Sequence, residues 1–274
     1  MAIQTVNNKV ATDYAEQYTT KWKVIETKLV EQEAYMEEVL DSLRSLSLST
    51  TYSENIAKMA SSITHEVRNP LTSVSGFLQL IKQTSNLETI HQYTDLALGE
   101  LTRANELISD FLTLSKSQNN EITPLSINEL IMNLSPVFQS DANLKGINVK
   151  VDLSSDNSLC MANKQHLTQI IVNIVKNAFE ATEANNASAS KTVTIKTNAT
   201  MENVFIIVKD NGYGITNAQL NSLFTPLKTT KKTGTGMGLF VCKQLVEKYS
   251  GKIIVESTIA KGTTITIQLP TYFS

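Results

Sequence analysis

The chain has few of the features that would commit it to several common protein classes. Only two of its 274 residues are cysteine, Cys160 and Cys242. They stand far apart and without metal-like spacing, which fits a reducing compartment and leaves both as packing residues. No apolar run approaches the roughly 18–20 residues needed to cross a bilayer, so no transmembrane helix is expected. The opening stretch MAIQTVNNKVATDYAEQY lacks the basic-then-apolar layout of a signal peptide. There is no basic excess: 24 Lys and Arg face 26 Asp and Glu, for a formal net charge of −2. That balance argues against a nucleic-acid binder that relies on a basic field. Internal repeats are also lacking. What remains is ordinary globular composition, 41 % hydrophobic and 18 % charged. The length suits roughly two domains of about 100–150 residues, each able to bury a core. A cytoplasmic protein with no membrane insertion and no nucleic-acid partner is expected.

The period of the apolar residues divides the chain. From Lys21 to Leu46, Trp22, Ile25, Leu29, Met36, Val39, Leu43 and Leu46 fall on a three-four spacing. This predicts an amphipathic helix or short coiled coil within an N-terminal extension, residues 1–54. The extension reads either as a segment that packs or dimerises or as one that receives a signal; no ligand-like constellation favours the second. A second stripe runs from Ile56 through Ile63, Val67, Val74 and Phe77 to Ile81, and a third from Ile90 through Ala97, Leu101 and Ala104 to Leu112. With a polar turn at Gln83–Glu88 they predict an antiparallel helical hairpin over residues 55–118. A hairpin alone leaves apolar surface uncovered, so a homodimer joined as a four-helix bundle is expected.

Residues 119–274 mix strand and helix patterns. Strands are predicted at Ile122–Ser126, Ile147–Leu153, Thr192–Asn198, Val204–Asp210, Lys252–Glu256 and Thr263–Leu269. Helices are predicted at Ile127–Asn143, Lys164–Thr182 and Met237–Tyr249, with a polar loop at Glu183–Ser190. Helices on one face of a sheet make an α/β sandwich, so the fold class is a helical hairpin followed by such a sandwich.

Four short segments carry chemistry. In Thr64-His65-Glu66-Val67-Arg68-Asn69-Pro70-Leu71, His65 falls between apolar positions and can face solvent. A neutral imidazole nitrogen is a good nucleophile near pH 7, and Glu66 beside it can orient the ring or take its proton. Pro70 removes a helical hydrogen bond and should bend the helix. His-Glu also opens a zinc-protease pattern, but position 69 is Asn where a second His is needed. The second segment, Asn173 to Ala181, puts Asn173 and Asn177 on one helical face, as neutral oxygen ligands suited to Mg²⁺ or as two surface amides. The third, Asp210-Asn211-Gly212-Tyr213-Gly214-Ile215, ends an apolar strand. It reads as a carboxylate beside glycines that admit a flat ligand, or as a plain turn. The fourth, Gly234-Thr235-Gly236-Met237-Gly238-Leu239, runs into a helix whose free N–H groups suit phosphate. Between the last two, Phe224 to Thr233 is small, polar and basic and reads as a mobile lid. Its lysines, Lys231 among them, either screen phosphate or are simply solvated.

Taken in this order, the segments resemble those of bacterial sensor histidine kinases over residues 55 to 270. His65-Glu66 with Asn69-Pro70 resembles the phospho-acceptor box of a dimerisation hairpin. Asn173 to Ala181 resembles the N box of a GHKL-type ATPase domain, and Asp210 to Ile215 its first glycine box. Phe224 to Pro226 resembles the F box, and Gly234 to Leu239 the second glycine box. The wording HEVRNPLTSVSGFLQL is similar to that of kinases feeding sporulation phosphorelays in bacilli.

The resemblance implies a set of roles. His65 takes the γ-phosphoryl group of ATP, Glu66 assists as acid and base, and Asn69 orients water for dephosphorylation of a regulator. Asn177 with Asn173 holds Mg²⁺, and Asp210 reads the adenine amino group beside Gly212 and Gly214. Lys231, Gly234, Thr235, Gly236 and Gly238 contact phosphates. The implied partner is a response-regulator receiver domain or a single-domain phosphorelay protein. Where the similar kinases carry an aromatic pair before Thr-Thr-Lys, this chain has Leu227-Lys228. That departure keeps a second reading open, a regulator acting mainly by dephosphorylating or sequestering its partner. A chaperone, mismatch-repair or topoisomerase ATPase of the same superfamily would lack the hairpin with His65. His91 and His166 lack the acceptor context and read as surface or core residues.

Overall fold

The computed structural model describes residues 53–115, 121–155, 159–185, 190–229, 231 and 234–272. The helix expected over Lys21–Leu46 lies outside these residues. The chain divides into two compact units, one ending at Ala104 and the other running from Asn105 to Ser274.

Helix α1, Ser53–Lys82, and helix α2, Leu87–Ser115, are the two expected stripes. In α1 the buried Ile63, Val67, Val74 and Ile81 recur at four- and seven-residue steps, which places them on one face. The connection stays short because Asn86 caps α2: its Oδ1 accepts the Thr89 N–H at 3.0 Å. Phe77 stacks on Tyr93 near this turn, with ring centroids 6.1 Å apart. The helix α1 continues through Pro70 without interruption. Pro70 is buried, and its missing N–H leaves the Glu66 carbonyl without the usual helical donor.

The second unit contains β1 (Thr123–Ser126), α3 (Ile127–Leu144), β2 (Asn148–Asp152), β3 (Leu159–Ala162), α4 (Lys164–Glu183), β4 (Thr192–Ala199), β5 (Asn203–Asp210), α5 (Asn217–Leu220), α6 (Gly238–Lys248), β6 (Lys252–Thr258) and β7 (Gly262–Tyr272). The strands form one sheet in the order β1-β3-β7-β5-β4-β2, with β6 also on β7. Among the described residues only β2 and β4 run parallel. The long β7 serves two neighbours along one edge: Gly262 to Gln268 pair with β6, and Thr271 and Tyr272 with β3. Neither β3 nor α5 is among the elements expected from the sequence; α5 is held by a capping box between Thr216 and Gln219.

The core follows from alternation. Val193, Ile195 and Thr197 of β4, Val204, Ile206 and Val208 of β5, and Ile265, Ile267 and Leu269 of β7 are buried. Over them lies α4, burying Leu167, Ile170, Ile171, Ile174, Val175, Ala178 and Phe179. Its neighbour α6 buries Val241, Cys242, Leu245 and Val246. The inward row of β5 then ends on a carboxylate, Asp210, so the strand's own periodicity delivers a buried acid to the edge of the core.

Both cysteines pack in this core. Burial pushes the Cys160 thiol up to about 11 and the Cys242 thiol up to about 12. His166 is also a core residue. Its Nδ1 lies 2.5 Å from the Tyr249 hydroxyl, which accepts the Asn163 N–H at 3.2 Å. Burial holds the His166 pKa below the ordinary histidine value, with Lys248 acting in the same direction.

Candidate functional site

On α1 the predicted acceptor segment sorts by helical face. Ile63 and Val67 are 1 % and 0 % exposed, while His65 between them is exposed. Asn69, one turn past His65, shares its face and is exposed, and Glu66 is half-buried. The imidazole is therefore held on a packed helix yet open to a reactant.

In the second unit, Asp210 directs Oδ1 to two backbone donors, Gly212 N–H at 2.8 Å and Thr263 N–H at 3.1 Å. Both bonds end on one oxygen, leaving Oδ2 to accept from a ligand. Burial raises the Asp210 pKa above the usual carboxylate value, and the two backbone bonds partly oppose it. The glycines after it are sterically required. A Cβ on Gly212 would meet the Ala181 carbonyl at 2.6 Å. At Gly214, φ is 74° and a Cβ would lie 2.2 Å from the Thr258 carbonyl oxygen. Gly262 is as important, though it belongs to no segment singled out from the sequence: a Cβ there would approach the Asp210 carbonyl oxygen to 2.0 Å.

Asn177 and Asn173 lie one turn apart on α4. The Asn177 Oδ1 accepts from Lys231 Nζ at 2.5 Å, and the same ammonium donates to Glu180. An amide oxygen already holding a cation is the donor chemistry that Mg²⁺ asks for, so Asn177 fits the metal. Glu180 received no role from the sequence, because its contact depends on a loop far along the chain. The Asn173 Nδ2 is buried against Cys242 and lies 3.4 Å from where a Cβ on Gly238 would be.

The glycine turn is folded against its own approach. Leu227 N–H donates to the Gly236 carbonyl at 3.1 Å, and a Cβ on Gly236 would meet the Leu227 carbonyl carbon at 2.7 Å. Gly236 has φ 69° and Leu227 φ 62°, so the Leu227-Lys228 departure coincides with a left-handed residue. The Thr235 hydroxyl accepts the Met237 N–H at 3.3 Å. Met237 caps α6 without a side-chain hydrogen bond, which leaves first-turn amides for an anion.

Helix α4 is the wall shared by these segments. Asn173 faces Gly238, Asn177 meets Lys231 and Ala181 meets Gly212, at steps of four residues along one face. The structure thus gathers Asn173, Asn177, Lys231, Gly238 and Gly212 around α4, with Asp210 bonded to Gly212; Gly214 packs instead against Thr258, and the Gly234–Gly236 turn joins through Leu227 and Lys231. His65, Glu66 and Asn69 belong to the other unit. Among the described residues no cluster of three His, Cys, Asp or Glu side chains forms a metal site, and no helix is long and apolar enough to cross a membrane.

Fold and site define a two-part molecule, a hairpin that presents a histidine and an α/β sandwich with a charged, glycine-lined wall. Known families match both parts. The His Kinase A (phospho-acceptor) domain matches residues 55–120. The histidine kinase-, DNA gyrase B- and HSP90-like ATPase matches residues 162–272. The chain thus joins the phospho-acceptor domain and the ATPase domain of a histidine kinase. It is 35 % identical to sporulation kinase D of Bacillus subtilis over 79 % of this chain and 42 % of that protein. Sporulation kinase A of the same organism is 36 % identical over 78 % of this chain and 34 % of its own length. Sensor histidine kinase ZraS of Escherichia coli is 31 % identical over 78 % and 45 %. The chain thus spans less than half the length of each of these relatives. Among solved structures, histidine kinase ThkA in complex with response regulator protein TrrA superposes with a TM-score of 0.67 at 25 % identity, covering 81 % of this chain and 64 % of that one.

Proposed function

We propose that the protein is an ATP-dependent histidine kinase that phosphorylates itself on His65 and passes the phosphoryl group to an aspartate of a separate response regulator. The observation that carries this reading is the pairing, in one chain, of an exposed histidine on a packed helix with an α4 wall bearing Asn177, Lys231 and the Asp210 turn. Residues 55–118 form the acceptor and dimerisation hairpin, and residues 119–274 the catalytic domain. In the dimer, two hairpins close a four-helix bundle.

The chemistry follows from these positions. Asp210 Oδ2 accepts from the adenine amino group, while Gly212 and Gly214 let the backbone lie close to the base. Gly234, Thr235, Gly236 and Gly238 offer backbone and hydroxyl donors to the phosphates. Asn177, with Asn173 beside it, holds Mg²⁺, which supplies charge neutralisation for the transferring phosphoryl group when bound. The His65 lone pair attacks the γ-phosphorus, the bond to the β–γ bridging oxygen breaks, and ADP leaves with that electron pair. Glu66 takes the proton from the other ring nitrogen. Positioning and charge do most of this work, as expected for phosphoryl transfer.

Two similarities support the partner. ThkA is seen with a response regulator, and several relatives are sporulation kinases, which favours a receiver within a phosphorelay. A kinase that draws on ATP and serves such a receiver works in the cytoplasm.

The test is incubation of the purified chain with Mg²⁺ and γ-labelled ATP. An acid-labile, base-stable label that His65→Gln and Asn177→Ala each abolish supports the reading. Nucleotide binding with no label would move the assignment to a regulator that only dephosphorylates or sequesters its partner.

A further inference from the structure

The Lys231 ammonium sits between two oxygens of α4, Asn177 Oδ1 at 2.5 Å and a carboxylate oxygen of Glu180. Asn177 and Glu180 are three residues apart, so the helix alone brings both oxygens to one place. Lys231 comes to them from a loop that is itself braced: its N–H donates to the Thr229 hydroxyl at 3.1 Å. Gly234 passes so close beneath that a Cβ would lie 2.7 Å from Thr229 Oγ1 and 3.1 Å from Lys231 Cβ. Lys231 and Glu180 are each about one-third exposed, so the pair is partly withdrawn from water without being sealed off.

The oxygen that suits the divalent cation is therefore already taken by an ammonium. Mg²⁺ demands a ligand oxygen at about 2.0–2.1 Å in strict geometry. A lysine charge hydrogen-bonded to that same oxygen would stand within a few ångström of the metal and repel it. Metal entry requires Lys231 to leave. An incoming polyphosphate gives the displaced ammonium a new anionic partner, whereas metal arriving alone gives it none.

We propose that Lys231 is a built-in competitor of the divalent cation for Asn177 Oδ1, and that Glu180 sets the strength of this competition by holding the lysine. Glu180 is a positioning residue acting through Lys231. The inference rests on the nucleotide reading of the site above. Its consequence is that the site refuses metal without nucleotide and accepts the two together.

The experiment is a Mg²⁺ titration of the binding of a fluorescent ADP analogue to the full chain, for the parent, Glu180→Gln, Lys231→Met and the double variant. Loss of the Glu180 charge loosens the lysine, so Glu180→Gln should lower the Mg²⁺ needed for half-maximal binding by roughly two- to fivefold, the range of one partly exposed ion pair. Lys231→Met should lower it as well, and the double variant should shift no further than Lys231→Met. A requirement that rises or stays level in Glu180→Gln, or a double variant that shifts further, would overturn the proposal. If the analogue fails to bind the parent at any Mg²⁺ concentration, the nucleotide reading falls and the competition with it. If it binds and the Mg²⁺ requirement ignores Lys231, the competition alone falls.

Discussion

Gly262 and Asp210 stand backbone against backbone: a Cβ on Gly262 would lie 2.0 Å from the Asp210 carbonyl oxygen. The φ of Gly262 is 108°, a region that side-chain-bearing residues rarely enter. The next residue, Thr263, donates its N–H to the Asp210 carboxylate, so this glycine determines where the acid points. Gly262→Ala must displace one of the two strands. A loss of about 1–3 kcal/mol or more in stability is expected from the strain. Binding of adenine nucleotide should weaken at least roughly tenfold, since one lost hydrogen bond to a charged group carries that weight. Thermal unfolding and nucleotide titration of the variant check both; unchanged values would show that Asp210 is positioned without Gly262.

Asp110 introduces a pH dependence. It is buried on α2 and its Oδ1 accepts from Gln169 Nε2 at 3.2 Å. Burial raises its pKa from 3.8 to about 6; the Gln169 bond and Lys176 oppose the rise, and Glu106 adds to it. The folded value lies above the unfolded one, so between about pH 4 and pH 6 the native protein holds a proton that the unfolded chain has lost. Stability from this group is therefore fullest at low pH and declines as pH rises through that window. Asp110→Asn keeps an acceptor for Gln169 without the charge. The variant should be more stable than the parent at pH 7.5, by on the order of 2 kcal/mol, and equal to it near pH 4. Melting curves at the two pH values decide; equal stability at both would mean that the carboxylate is solvated.

Tyr249 holds together a buried polar group. Its hydroxyl meets His166 Nδ1 at 2.5 Å and the Asn163 N–H at 3.2 Å. Tyr249→Phe keeps the ring and removes the hydroxyl from both groups, at a cost of about 1–3 kcal/mol. Denaturant unfolding measures it. A variant as stable as the parent would show that His166 and Asn163 find other partners.

Much of this was legible in the sequence because the relevant signals are local. Apolar spacing alone predicted both hairpin helices, and it placed His65 on the solvent side of α1, where it lies. Alternation marks β4 and β5 and places Asp210 at a strand end; that this carboxylate is buried comes only from the folded sheet. What was hidden depends on distant chain. The strand β3 has four residues and takes its conformation from β1 and β7, so no alternation announces it. Gly262 stands outside every motif, since its need for φ above zero arises only when β7 meets the end of β5. Glu180 lies within a recognised segment, yet its partner Lys231 is joined to it by folding and not by spacing. Leu227 shows the limit from the other side: its departure from the expected aromatic was visible, but the left-handed backbone that accompanies it was not.

The most direct test of the central claim is to find where phosphate goes. The chain has three histidines, His65, His91 and His166. After incubation with Mg²⁺ and ATP, mass spectrometry of its peptides under alkaline conditions should find phosphate on His65 and on neither of the others. Phosphate on His91 or His166, or none on His65 while nucleotide is bound, would contradict the account.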